Sequence, residues 1–190
     1  MISVFSGKVK RISPVFRDFF GCPKKALLHF DPDCGTTEPI NEGSSPMEPY
    51  VRTAQYHETD QMGVIHHANY VKWMEEARVA FMAGLGFGYE TIEAQGITVP
   101  VIGIELTYKK PVRFAETFAV DVCVRRYNGK ILELGYTIRN LTQGTLCTLA
   151  GSKHCFLKDG RMVALSAALP ELDGVLRTLL NGKENPDADV

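Results

Sequence analysis

Apolar side chains recur at the helical period between residues 68 and 85. Tyr70, Met74, Ala77, Phe81 and Leu85 mark one face, and Val71, Trp73 and Ala80 widen it. Polar residues shrink to a narrow stripe at Lys72, Glu75, Glu76 and Arg78, which predicts a helix enclosed over most of its circumference. Gly84, Gly86 and Gly88 end it, and a short second helical turn is expected over residues 89–95. The period then changes from helical to alternating. Ile102, Ile104, Leu106 and Tyr108 alternate within residues 98–110, and Pro111 stops that run. Phe118, Val120, Val122 and Val124 alternate within residues 117–127, and Asn128-Gly129 is a strong hairpin signal. Leu132, Leu134, Tyr136 and Ile138 follow within residues 131–140, and Thr142-Gln143-Gly144 turns the chain into a strand over residues 145–157. A short strand over residues 50–56 precedes the helix. Residues 170–181 read as a last helix, with Leu172, Val175, Leu176, Leu179 and Leu180 on one side and Gly182 as its stop.

The order is a strand, an enclosed helix, then four antiparallel strands in a meander. One long helix on the concave face of a curved antiparallel sheet buries both apolar surfaces, so the expected class is α+β. Residues 1–48 stand apart. Pro14, Pro23, Pro32, Pro39 and Pro46 interrupt them, and Gly43-Ser44-Ser45-Pro46 has a linker's composition. The expected organisation is an N-terminal extension over 1–48, one domain over 49–182 and a tail over 183–190.

Composition narrows the function. The chain of 190 residues has 45% hydrophobic and 23% charged residues and a net charge of −1. It has no basic stripe, which argues against nucleic acid or an anionic membrane as the main partner. No segment reaches the length of a membrane span, and no signal-type apolar core opens the chain. Five cysteines, Cys22, Cys34, Cys123, Cys147 and Cys155, lack Cys-x-x-Cys spacing and read as thiols of a reducing cytoplasm. Cys22 and Cys34 flank His29 but supply too few ligands for a structural zinc site.

Candidate chemistry concentrates between Tyr56 and Arg78. A polar loop carries one acid, Asp60, then Gly63, and then His66 and His67 at the mouth of the long helix. Helix N-termini expose unpaired N–H groups that hold a developing oxyanion, and a carboxylate beside them suits acyl transfer. The same aspartate also suits a plain turn, and Gly63 a plain turn glycine. His57, Asp60, His66 and His67 lack the spacing of a zinc site, so no metal and no cofactor are expected. Glu75 and Arg78 lie three apart and pair on the helix. Lys109, Lys110 and Arg113, and separately Arg125 and Arg126, form basic spots that suit either phosphates or solvent.

The run Asp60-x-x-Gly63-Val64-Ile65-x-His67-x-Asn69-Tyr70, followed by Trp73-Met74-Glu75-x-Ala77-Arg78, resembles the signature of the 4-hydroxybenzoyl-CoA thioesterase-type hotdog family, including thioesterases of tol–pal gene clusters. The resemblance implies a hotdog fold, with a curved sheet of about five strands wrapped around one helix, and pairing of two sheets edge to edge. It implies an acyl-CoA thioesterase in which Asp60 is the nucleophile or general base and His67, through its side chain or amide, polarises the thioester carbonyl. Gly63, Val64, His66 and Tyr70 would then contact or line the substrate site, and Asn69 and Trp73 would pack or line an acyl tunnel. The expected partners are an acyl-CoA substrate and further copies of the chain in a homodimer or homotetramer. Two alternatives use the same residues: a thioesterase for acyl-carrier protein, and a non-catalytic hotdog module that binds acyl-CoA.

Overall fold

The computed structural model describes residues 47–181. The expected N-terminal extension, apart from Met47 and Glu48, lies outside the described residues, as do Cys22, His29, Cys34, Gly182 and the C-terminal tail. Strand β1 (Tyr50–Thr53) leads through a 3-10 turn at Tyr56–Glu58 into the long helix α1 (His67–Gly84). A short helix α2 (Tyr89–Ala94) follows, then β2 (Ile97–Thr98), β3 (Val101–Tyr108), β4 (Thr117–Tyr127), β5 (Ile131–Asn140) and β6 (Thr145–Cys155). The described residues end in the hairpin β7 (Leu157–Lys158) and β8 (Arg161–Met162), a helical turn α3 (Leu165–Ala168) and helix α4 (Pro170–Asn181). His57 therefore lies in a helical turn.

The main sheet has five strands, all antiparallel, in the order β1-β4-β5-β6-β3. Only β4, β5 and β6 form a meander. The expectation that all four strands after the helix run consecutively is corrected here, because β3 pairs with β6 and residues 109–116 carry the chain across to β4. Alternation sets which face a side chain takes but not which strand lies beside it.

On the concave face, Phe118, Val120, Val122 and Val124 of β4 and Leu132, Leu134, Tyr136 and Ile138 of β5 are buried against α1. Trp73 is fully buried and stacks on Phe118, with ring centroids 3.9 Å apart. Each buried side chain of this kind contributes about 1.5–3 kcal/mol. Helix α4 extends the layer: Leu172 and Leu176 enter the core, and the Tyr127 hydroxyl donates to Asp173 at 2.6 Å. Enclosure of α1 is less complete than its composition suggests. Lys72, Glu75, Val79, Ala80 and Ala83 are exposed, and the β3 edge leaves Val101, Ile104 and Tyr108 open as well.

Candidate active site

The loop between the 3-10 turn and α1 is built by its own hydrogen bonds. An antiparallel bridge between Thr59 and Ile65 closes it. Inside, the Asp60 N–H donates to the Val64 carbonyl at 2.9 Å, and the Gly63 N–H donates to the Asp60 carbonyl at 3.0 Å. Gly63 adopts φ +71°, a conformation strained for any side chain, although a Cβ there would meet only Arg113 Nη1 at 4.0 Å. Conformation, not crowding, requires this glycine. Asp60 Oδ1 accepts the Met62 N–H at 2.8 Å. Its other oxygen has no hydrogen bond among the described residues, and the side chain is half-buried beside the exposed Gln61, Met62 and Gly63.

Glu58 anchors this loop from beneath. The acid is 3% exposed, and its carboxylate meets Arg52 Nη2 at 3.0 Å, Trp73 Nε1 at 2.9 Å and the Gln55 N–H at 2.7 Å. Its carbonyl accepts from the His66 N–H at 2.8 Å and from Asn69 Nδ2 at 2.8 Å. Asn69 and Trp73 therefore face the loop's anchor rather than an open tunnel. Arg52 also holds Glu76 at 2.8 Å, which ties β1 to the middle of α1.

Residues 109–116, the crossover from β3 to β4, brace the same loop. The Ile65 N–H donates to the Val112 carbonyl at 2.9 Å, and Arg113 Nη1 donates to the Gly63 carbonyl at 3.3 Å. Tyr70 is 3% exposed and its hydroxyl accepts the Val112 N–H at 3.1 Å, so it supports the crossover from within the core. Burial pushes that hydroxyl up to about 12. Arg113 is thus the basic residue brought to the Asp60 loop. Arg125 lies elsewhere, against Glu105 at 3.5 Å, where a Cβ on Gly135 or Gly151 would strike its guanidinium.

At the start of α1, His66 is the N-cap and its Nδ1 accepts the Ala68 N–H at 3.3 Å. The Asn69 N–H is satisfied by the His66 carbonyl at 2.9 Å. The His67 N–H meets no acceptor among the described residues. It lies at the positive end of a helix of 18 residues, next in the chain to the Asp60 loop. The two imidazole rings lie 4.1 Å apart and both residues are exposed. Tyr108 of β3 donates to the His67 carbonyl at 3.0 Å, which fixes the helix start against the sheet edge.

Asp60, Gly63, Val64, His66 and His67 are thus gathered in one loop and helix start, with Tyr70 one turn deeper. Among the described residues no group of three or more His, Cys, Asp or Glu side chains is placed to hold a metal. A cavity of about 200 Å³ lies under Met47–Val51 against Ala77, Ala80 and Phe81, away from Asp60. A smaller cleft of about 30 Å³ runs between α1 and β3, floored by Tyr136, Ser152 and His154. Glu58, Ser152 and His154 were not singled out in the sequence, whereas Tyr136 stands in the alternation of β5. The signal for Ser152 and His154 is that they share the parity of buried Ala150 in β6.

A sheet wrapped around one helix, with an acid loop opening at the helix start, defines the hotdog thioesterase class, whose members are thioester hydrolases. The chain belongs to the thioesterase-like superfamily, whose family model matches residues 54–176. It is similar to the Bacillus subtilis (strain 168) protein named "Putative acyl-CoA thioesterase YneP", 44% identical over 100 residues, which span 53% of this chain and 72% of that one. Among solved structures it is similar to the DHNA-CoA thioesterase of Staphylococcus aureus, with TM-score 0.68 and 31% identity over 73% of this chain and 95% of that one. A Thermus thermophilus hypothetical protein, TT1821, matches with TM-score 0.62 and 30% identity over 70% of this chain and 97% of that one.

Proposed function

We propose that this protein is an acyl-CoA thioesterase that hydrolyses R–CO–S–CoA with water to a carboxylic acid and free coenzyme A. The observation that carries this reading is an underused carboxylate oxygen on Asp60 in a loop that runs directly into a helix whose first N–H, that of His67, has no acceptor among the described residues. Asp60 attacks the thioester carbonyl or takes a proton from water that does so. The His67 N–H and the helix dipole stabilise the oxyanion that forms as the carbonyl carbon becomes tetrahedral. Its collapse expels the coenzyme A thiolate, which takes up a proton, and leaves the carboxylic acid directly or, where Asp60 attacked, an acyl-Asp60 anhydride that water hydrolyses to the acid and free Asp60. Gly63 and Val64 shape the approach, and His66 fixes the helix start by capping Ala68. Arg113, held beside Gly63, offers a cation to the phosphates of the carrier. No cofactor enters this chemistry.

The assembly we propose is a homodimer or a homotetramer built through β3. That edge strand exposes Val101 at 41%, Ile104 at 40% and Tyr108 at 47%, and an open edge of this kind is a template for pairing with a second copy. We place the protein in the reducing cytoplasm, in keeping with Cys147 as a buried thiol. No helix among the described residues is long and apolar enough to cross a membrane.

The reading is tested by thiol release from a panel of aliphatic and aromatic CoA esters. At least one ester is hydrolysed with a kcat/KM on the order of 10⁴ M⁻¹s⁻¹ or above. Release of no thiol from any ester would leave the acyl-CoA-binding module as the better account. Competition between a CoA ester and the same acyl group on acyl-carrier protein separates the two carriers, and the CoA ester is expected to win.

A further inference from the structure

The cleft between α1 and the β3 edge has apolar walls and a polar floor. Val71 and Met74 of α1 and Val101 and Ile104 of β3 form the apolar walls, the charged Glu75 and Arg78 of α1 also line the cleft, and Tyr136, Ser152 and His154 complete it. The floor residues are joined in a chain. Tyr136 Oη lies 2.8 Å from Ser152 Oγ, which lies 2.6 Å from His154 Nε2. All three are buried, His154 at 1% exposure, and its other ring nitrogen, Nδ1, has no hydrogen-bond partner among the described residues. A buried imidazole nitrogen without a partner is costly, and here the residue that carries it lines a cleft. Burial, then the charge of Arg78 nearby, drives the imidazole to its neutral form, down to about 3.

We propose that the Tyr136–Ser152–His154 chain recognises a hydroxyl group carried on the acyl portion of the substrate. This rests on the thioesterase reading and adds the chemistry of the acyl end. The helix residues that line the cleft, Val71 to Arg78, lie four to eleven positions beyond His67, or roughly 6–16 Å along the axis. The floor is therefore placed to meet a substituent well down the acyl group, not the thioester itself.

A hydroxyl fits where other groups do not. If His154 Nε2–H donates to Ser152, Nδ1 is a bare acceptor; if Ser152 donates to Nε2, Nδ1 carries a proton to give. A hydroxyl serves both cases. A carboxylate suits only the second and needs a free cation, whereas Arg78 is already engaged by Glu75 at 3.5 Å and by the Tyr89 hydroxyl. An ammonium group would meet the charge of Arg78. A plain methylene leaves Nδ1 orphaned or leaves a water in place, and the cleft of about 30 Å³ has room for one.

The test compares matched CoA esters that differ only by a hydroxyl: hexanoyl, octanoyl, decanoyl and dodecanoyl against their ω-hydroxy forms, and benzoyl against meta-hydroxybenzoyl. The full chain is expected to prefer the hydroxylated partner by about 10-fold or more in kcat/KM for at least one pair. In His154→Phe that ratio falls to about one, and in Ser152→Ala it falls at least about 3-fold, with thermal melts showing that the variants fold. If His154→Phe does not fold, Ser152→Ala carries the comparison. Ratios near one for every pair would overturn the proposal and leave an ordered water on the floor. So would a ratio unchanged in the folded variants, which would mark the chain as structural only. Calorimetric binding of the same pairs to Asp60→Asn keeps the two readings apart. No hydrolysis of any ester by the parent chain, with a hydroxyl preference still present in binding to Asp60→Asn, removes the thioesterase reading and upholds hydroxyl recognition.

Discussion

Two buried side chains, Glu58 and His154, set stability. Glu58 accepts from a buried indole N–H, a backbone N–H and Arg52, so Glu58→Ala leaves the first of these unpaired. Arg52 retains Glu76 and is partly exposed, which moderates the loss to about 2–3 kcal/mol in urea denaturation at neutral pH. His154 gives a pH dependence with a definite sign. Its folded pKa is depressed to about 3, against 6.5 in the unfolded chain. Below pH 6.5 the unfolded chain binds a proton that the folded chain refuses, so stability falls as pH drops from 6.5 toward 3. Between pH 7 and pH 5 this one group removes about 2 kcal/mol, and His154→Phe flattens the pH dependence by that amount. Denaturation curves at the two pH values check it, and equal slopes in both proteins would contradict the assignment. The loop that carries Asp60 and Gly63 was legible in the sequence because an acid three residues before a glycine, at the mouth of an apolar helix, is a local pattern. Glu58 was not, since its burial depends on Trp73 and Arg52, which no local spacing brings to it.

Elements with strict periodicity were legible in full. Strands β4 and β5 and helix α4 occupy the expected residues because alternation, the Asn128-Gly129 turn and the apolar side of α4 act locally. The hairpin β7–β8 was not expected; its turn is Asp159-Gly160. Two-residue strands carry no period to read. The β3 run was read as one strand, whereas Val99-Pro100 divides β2 from β3 and the two join different sheets. Nor does periodicity show that residues 109–116 return along the Asp60 loop, where Val112 and Arg113 reach it. That loop depends on one left-handed residue. Gly63→Ala, at φ +71° with open space around the Cβ, is expected to cost about 1 kcal/mol through backbone strain alone. A melt of the variant indistinguishable from the parent would contradict this.

The exposed β3 edge and the bare side of α1 are apolar surfaces that the described residues leave uncovered, with Ile104 at 40% and Val79 at 42% exposure. Light scattering on the parent protein at micromolar concentration is expected to give a dimer or a tetramer, and Ile104→Glu, a charge on the edge face, to shift it toward monomer. A parent protein that is monomeric under these conditions would remove the edge-pairing proposal. The fold class and the long helix followed from periodicity, whereas the partner of an edge strand is a property of surfaces that alternation does not describe. The catalytic claim is tested most directly by Asp60→Asn, which keeps the shape and the Met62 hydrogen bond while removing the charge. On the best CoA ester, thiol release is predicted to fall by about 10²–10⁴-fold in kcat, with an unchanged melting temperature. A folded Asp60→Asn protein that turns over as fast as the parent would contradict the account.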